Sequence, residues 1–107
     1  MLAEKQFMEM ALSFPAVEQG SHFDVTDFRV RGTIFATYRE KDGRAVLKLS
    51  PDQQRLFLET AKGMLEPVPG SWGGKGWTLA ILQRIDADTL RHAMSLAWRS
   101  VAPKSLL

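Results

Sequence analysis

From Asp27 to Tyr38 every second residue is apolar on either side of an interruption at Gly32. A period of two puts successive side chains on opposite faces of a strand, and a strand that is half apolar must lay one face on a core. Phe28 and Val30 share one face and Arg29 and Arg31 the other; beyond Gly32, Ile34, Ala36 and Tyr38 resume the pattern. A tight turn near Gly32 therefore joins two strands. Asp42-Gly43 reads as a two-residue hairpin turn between Thr33–Arg39 and Arg44–Leu49, because Asp-Gly supplies the positive backbone angles such a turn needs. Two hairpins in direct succession commit the chain to an antiparallel sheet. The rest of the chain must cover it.

That cover reads as helices. Leu2–Phe14 places Ala3, Phe7, Met10, Ala11 and Phe14 at helical spacing, and Pro15 ends the run. Val17–Ser21 closes in Gly20-Ser21, which predicts a turn. Ser50-Pro51-Asp52-Gln53 is a compact helix start: a capping serine, a proline at the first helical position and a glutamine placed for a capping box. Leu56, Phe57, Thr60 and Ala61 form its predicted inner face, with Gly63 as terminator. Glu66–Gly76, with two prolines and four glycines, reads as loop. Trp77–Leu82 returns to strand. A last helix begins at Asp86, buries Leu90, Ala93, Met94, Ala97, Trp98 and Val101, and stops near Pro103. The expected architecture is α+β, an antiparallel sheet packed on helices.

At 107 residues the chain is expected to form a single domain, spanning 1–107. Cysteine is absent, which excludes disulfides, thiolate metal sites and a cysteine nucleophile. Met1–Lys5 has no long apolar stretch after a basic start, so the expectation is a cytoplasmic protein without a membrane partner. Gly70–Trp77 resembles a phosphate loop only superficially. Lys75 is followed by Gly76-Trp77 and a strand, whereas nucleotide hydrolysis needs Ser or Thr there and a helix. His22 and His92 stand far apart without a companion ligand, and no serine sits in a nucleophile elbow. No catalytic residue, metal site or cofactor is implied.

Charge is the remaining signal. Arg29, Arg31, Arg39, Lys41, Arg44 and Lys48 face only Glu40 and Asp42 within one stretch, although the whole chain carries just +2. A basic ribbon of hairpins can straddle phosphates; solvated cations that protect a sheet are the competing reading. Acids such as Glu40 and Asp42 would decide between them by breaking up the patch.

Six blocks in order carry a resemblance over nearly the whole chain: Ala11–Pro15, Phe28–Ala36, Leu47–Pro51, Pro69–Gly73, Gly76–Thr78 and Ala97–Lys104. Together they resemble the MmcQ/YjbR family. The resemblance implies a CyaY-like (frataxin-like) fold and a double-wing DNA-binding role. On that reading the protein is a small non-enzymatic DNA-binding module. Arg29, Arg31, Arg39, Lys41, Arg44 and Lys48 would contact phosphates, and Lys75 would add a further contact. The frataxin likeness also raises iron, but the first helix offers only Glu4 and Glu9, beside Lys5. The alternative is a small-molecule binding protein or an uncharacterised enzyme, with Trp72, Trp77 and the glycines lining a pocket beside Tyr38.

Overall fold

The computed structural model describes residues 2–107. The elements run α1 (Glu4–Leu12), β1 (Val17–His22), β2 (Val25–Val30), β3 (Thr33–Arg39), β4 (Arg44–Lys48), α2 (Pro51–Thr60), β5 (Leu65–Pro67), α3 (Ser71–Gly74), β6 (Trp77–Ala80) and α4 (Ala87–Val101). The six strands form one antiparallel sheet in the order β1-β2-β3-β4-β6-β5. The α+β expectation therefore holds, with more strands than the sequence suggested. No helix among the described residues is long and apolar enough to cross a membrane.

One sheet face carries the core. Phe28, Val30, Ala36, Tyr38, Ala45, Leu47 and Ala80 are buried there against Phe7, Met10 and Ala11 of α1, Phe57 of α2, and Leu90, Ala93, Met94, Ala97 and Trp98 of α4. α4 lies over β3 and β4. Its Trp98 indole donates to the Pro15 carbonyl at 3.0 Å and stacks on Phe14 at 5.8 Å, which ties the last helix to the end of the first. The helices that supply these core residues leave the opposite face without a second layer.

Several local expectations need correction. Val17–Ser21 is not a turn but most of the edge strand β1. Gly20 lies opposite Asp27, and a Cβ at that position would stand 2.8 Å from the Asp27 carboxylate, so the glycine makes room across the ladder. Around Gly32 the expected tight turn is present: Arg31 and Gly32 both have positive φ, 49° and 85°. That takes Arg31 off the strand face and into the turn. The register then shifts between Phe28 and Arg29, so that Ala36 opposes Phe28 and Ile34 opposes Arg29, with Phe35 as the extra residue. Asp42-Gly43 does not make a two-residue turn. Four residues separate β3 from β4, and only Gly43 of the pair has positive φ.

α2 starts as its sequence dictates. The Ser50 hydroxyl accepts from the Gln53 amide at 3.1 Å, and the Gln53 side chain accepts from the Ser50 amide at 2.9 Å. Its buried side chains, however, are Gln54 and Phe57, while Leu56 is 53% exposed. The segment expected to be loop contains the three-residue strand β5 and the single turn α3. Replacing Ser50 by alanine removes one arm of the capping box. Chemical denaturation should report a loss of about 1 kcal/mol for Ser50→Ala.

Candidate functional site

On the face away from the helices the registers set side chains in rows. Val25, Arg39 and Arg44 lie side by side across β2, β3 and β4; Asp27, Thr37, Val46 and Leu79 form the next row; Lys48 and Trp77 begin a third. Val68 and Trp72, from the segment after β5, lean over the same face. Together Val25, Thr37, Arg39, Arg44, Val46, Val68, Trp72 and Trp77 enclose an open hollow of about 300 Å³. Its floor is apolar, with Val46 at the centre. The two indoles meet nearly at right angles, 81°, with centroids 6.3 Å apart, and make a corner. Trp72 is 57% exposed.

The corner is held from behind. Gln54 of α2 is buried, and its amide nitrogen lies 3.0 Å from the Gly73 carbonyl, 3.2 Å from the Trp77 carbonyl and 3.0 Å from the Thr78 hydroxyl. The Thr78 hydroxyl in turn donates to the Gly76 carbonyl at 2.8 Å. Two glycines fit this packing and no larger residue would: a Cβ on Gly73 would stand 2.0 Å from the Val68 carbonyl oxygen, and one on Gly76 1.9 Å from that of Leu49. The glycine-rich stretch is thus a fixed platform for Trp72.

Charge around the hollow is partly cancelled. Arg39 forms a two-pronged pair with Asp42, at 2.9 and 2.6 Å. Arg29 pairs in the same way with Asp27, at 2.7 and 3.0 Å. Asp27 is 1% exposed, and the Arg29 guanidinium holds its carboxyl below the usual range. Asp42 is lowered likewise by Arg39. By contrast, Arg31, Lys41, Arg44, Lys48 and Lys75 make no salt bridge among the described residues. Lys48 and Lys75 lie against the indoles instead, 5.8 Å from the centroid of Trp77 and 4.8 Å from that of Trp72.

The YjbR family model matches residues 12–100. The chain belongs to the YjbR family. Among solved structures it is similar to Deinococcus radiodurans protein DR2400, a crystal structure carrying the DUF419 domain. The two share 16% identity with a TM-score of 0.80, over 100% of this chain and 83% of that one. At that identity the likeness is one of fold. Curated proteins give no match.

Within this YjbR-family chain the seven cations singled out by sequence do not form one ribbon. Arg39, Arg44, Lys48 and Lys75 gather at or beside the hollow, and Arg29 lies on the same face in its pair with Asp27. Arg31 and Lys41 occupy turns at opposite ends of β3, about 23 Å apart for seven residues at 3.3 Å each. Tyr38 does not border the hollow. It points into the core, 5.9 Å from the Phe7 ring, because its neighbours in register share the helix side; Thr37 takes the expected place. Val25, Val46 and Val68 were not evident as site residues. A signal existed in β4, where Arg44, Val46 and Lys48 alternate onto one face.

Two outcomes follow from these contacts. Because the folded-state carboxyl of Asp27 lies below its unfolded value, the pair with Arg29 contributes fully above about pH 4 and is lost as pH falls through the folded-state value. Urea midpoints measured from pH 5 to pH 2 should fall less steeply for Asp27→Asn than for the parent, from a lower starting stability. Gln54→Leu leaves the buried Thr78 hydroxyl oxygen without a donor and removes one donor from the Gly73 and Trp77 carbonyls, which keep the Gly76 and Val68 amides. It should cost about 1–3 kcal/mol and shift the tryptophan emission, since the platform under Trp72 loosens.

Proposed function

We propose that this protein is a binding module whose uncovered sheet face takes an anionic ligand with a flat, apolar body. The observation that carries this is the hollow: a valine floor, two indole walls and a surround in which Arg44, Lys48 and Lys75 have no acidic partner among the described residues. Aromatic and aliphatic walls with a few polar groups at the rim are the usual makeup of a ligand pocket. The flat ligand would stack on Trp72 or Trp77, and its anionic group would meet the free cations.

DNA gripped by the hairpins is a second reading, favoured by the exposed Arg31 and Lys41 in the turns and by Arg44 and Lys48 on β4. The Asp27–Arg29 and Asp42–Arg39 pairs weigh against it, because they withdraw two of its six hairpin cations.

The aromatic sulfonate 1-anilinonaphthalene-8-sulfonate, with its flat naphthalene body, is a suitable first probe. Its fluorescence should rise to saturation at one molecule per chain and quench the tryptophan emission. Trp72→Ala should weaken that binding about tenfold, the loss expected for one stacked ring, whereas an Arg31→Gln/Lys41→Gln variant should bind as the parent does. Equal binding by Trp72→Ala would overturn the assignment to the hollow.

A further inference from the structure

We infer that the ligand of the hollow is a short single-stranded segment of nucleic acid, with one base seated against Trp72 and Trp77 and phosphates held on either side. This rests on the reading of the hollow as a site for a flat anion, and adds what the anion is.

Charge along β4 is placed to either side of the hollow. Arg44, Val46 and Lys48 share the uncovered face, so the two cations stand about 13 Å apart at 3.3 Å per residue. Val46, the floor of the hollow, lies midway. Arg39 borders the Arg44 end but is paired with Asp42, so Arg44 supplies the charge there; Lys75, over Trp72, stands with the indole corner at the Lys48 end. Positive charge therefore flanks an apolar, aromatic seat on two sides. A mononucleotide has its phosphates at one end and meets one of these flanks. A strand has phosphates before and after each base and meets both.

Duplex DNA fits less well. Its bases are stacked inward, so nothing would enter a hollow with an apolar floor, and its phosphates would be left to cations that the fold separates. Arg31 and Lys41 mark opposite ends of β3, and Arg29 and Arg39 are held by carboxylates. Open sheet faces that present aromatic rings beside a positive groove bind single strands by stacking, with little dependence on sequence.

The chain can be tested with a fluorescein-labelled eight-residue oligothymidylate, a duplex of the same length and thymidine monophosphate, by anisotropy and by tryptophan quenching. At low salt the single strand should bind at least about tenfold more tightly than either competitor and should quench tryptophan. Trp72→Ala should weaken single-strand binding about tenfold. The Arg44→Gln/Lys48→Gln variant should flatten the slope of log affinity against log salt by about 1.4, as the loss of two phosphate contacts requires. Both variants change partly exposed side chains, and circular dichroism checks that they fold. If thymidine monophosphate binds as tightly as the strand, the strand is wrong and the hollow still takes a flat anion. Preference for the duplex, lost in Arg31→Gln/Lys41→Gln and kept in Trp72→Ala, overturns the inference in favour of the hairpins. Should none of the three bind while the sulfonate dye does, nucleic acid is excluded and the hollow remains; failure of the dye as well removes both readings.

Discussion

The side-chain amide of Gln54, buried behind the sheet, has two hydrogens to give and three oxygens within reach, on Gly73, Trp77 and Thr78. The Gly73 and Trp77 carbonyls also accept from the Gly76 and Val68 amides, whereas the Thr78 hydroxyl oxygen accepts from Gln54 alone, and a buried acceptor left without its donor is costly. This contact joins α2 to α3 and to the start of β6. Through it the layer of helices reaches the face that the helices do not cover. The indole corner, the glycines that permit its packing and the hollow beside it all depend on that junction, because α3 is a single turn with too few bonds of its own to stand alone.

The same economy governs charge. A sheet face left uncovered must be wetted by polar side chains, and this chain supplies them as Glu18 and His22 on β1, Asp27 and Arg29 on β2, Thr37 and Arg39 on β3, and Arg44 and Lys48 on β4. Where a carboxylate lies within reach, as at Asp27 and Asp42, it forms a planar fork with an arginine and the pair becomes structural. Where none does, the cation rests on an indole or stays in solvent. What separates a wetted surface from a site is therefore the distribution of the acids, which leaves the region around Trp72 and Trp77 with surplus positive charge.

Much of this was legible in the residues. Alternation located β2 and β3, the break at Asp42-Gly43 located β4, the Ser50–Gln53 box located α2, and the spacing from Leu90 to Trp98 gave α4 its buried face. What escaped was written in weaker signals. β1 is an edge strand with polar residues on both sides, so it has no alternation to read, and its glycine serves an aspartate on the next strand. β5 is too short for any periodic signal. Gln54 is polar at a buried position, which moved the predicted inner face of α2 toward Leu56. The pairing of Asp27 with Arg29 was available, since residues two apart on a strand share a face. The hollow itself was half legible: the tryptophans were singled out, but Thr37 rather than Tyr38 faces them, because the strand turns Tyr38 toward Phe7.

The short β5 also determines how this sheet meets other chains. An open sheet ends in two rows of unpaired amides and carbonyls, and a long flat row invites a second molecule to continue the ladder. Here one border is three residues long and finishes at Pro67, which has no amide hydrogen to offer. The other border, β1, carries Glu18 and His22 along the uncovered face. Growth by strand addition is thus discouraged at one side by a lack of length and donors, and the broad face can stay open without turning the protein into a template for its own stacking.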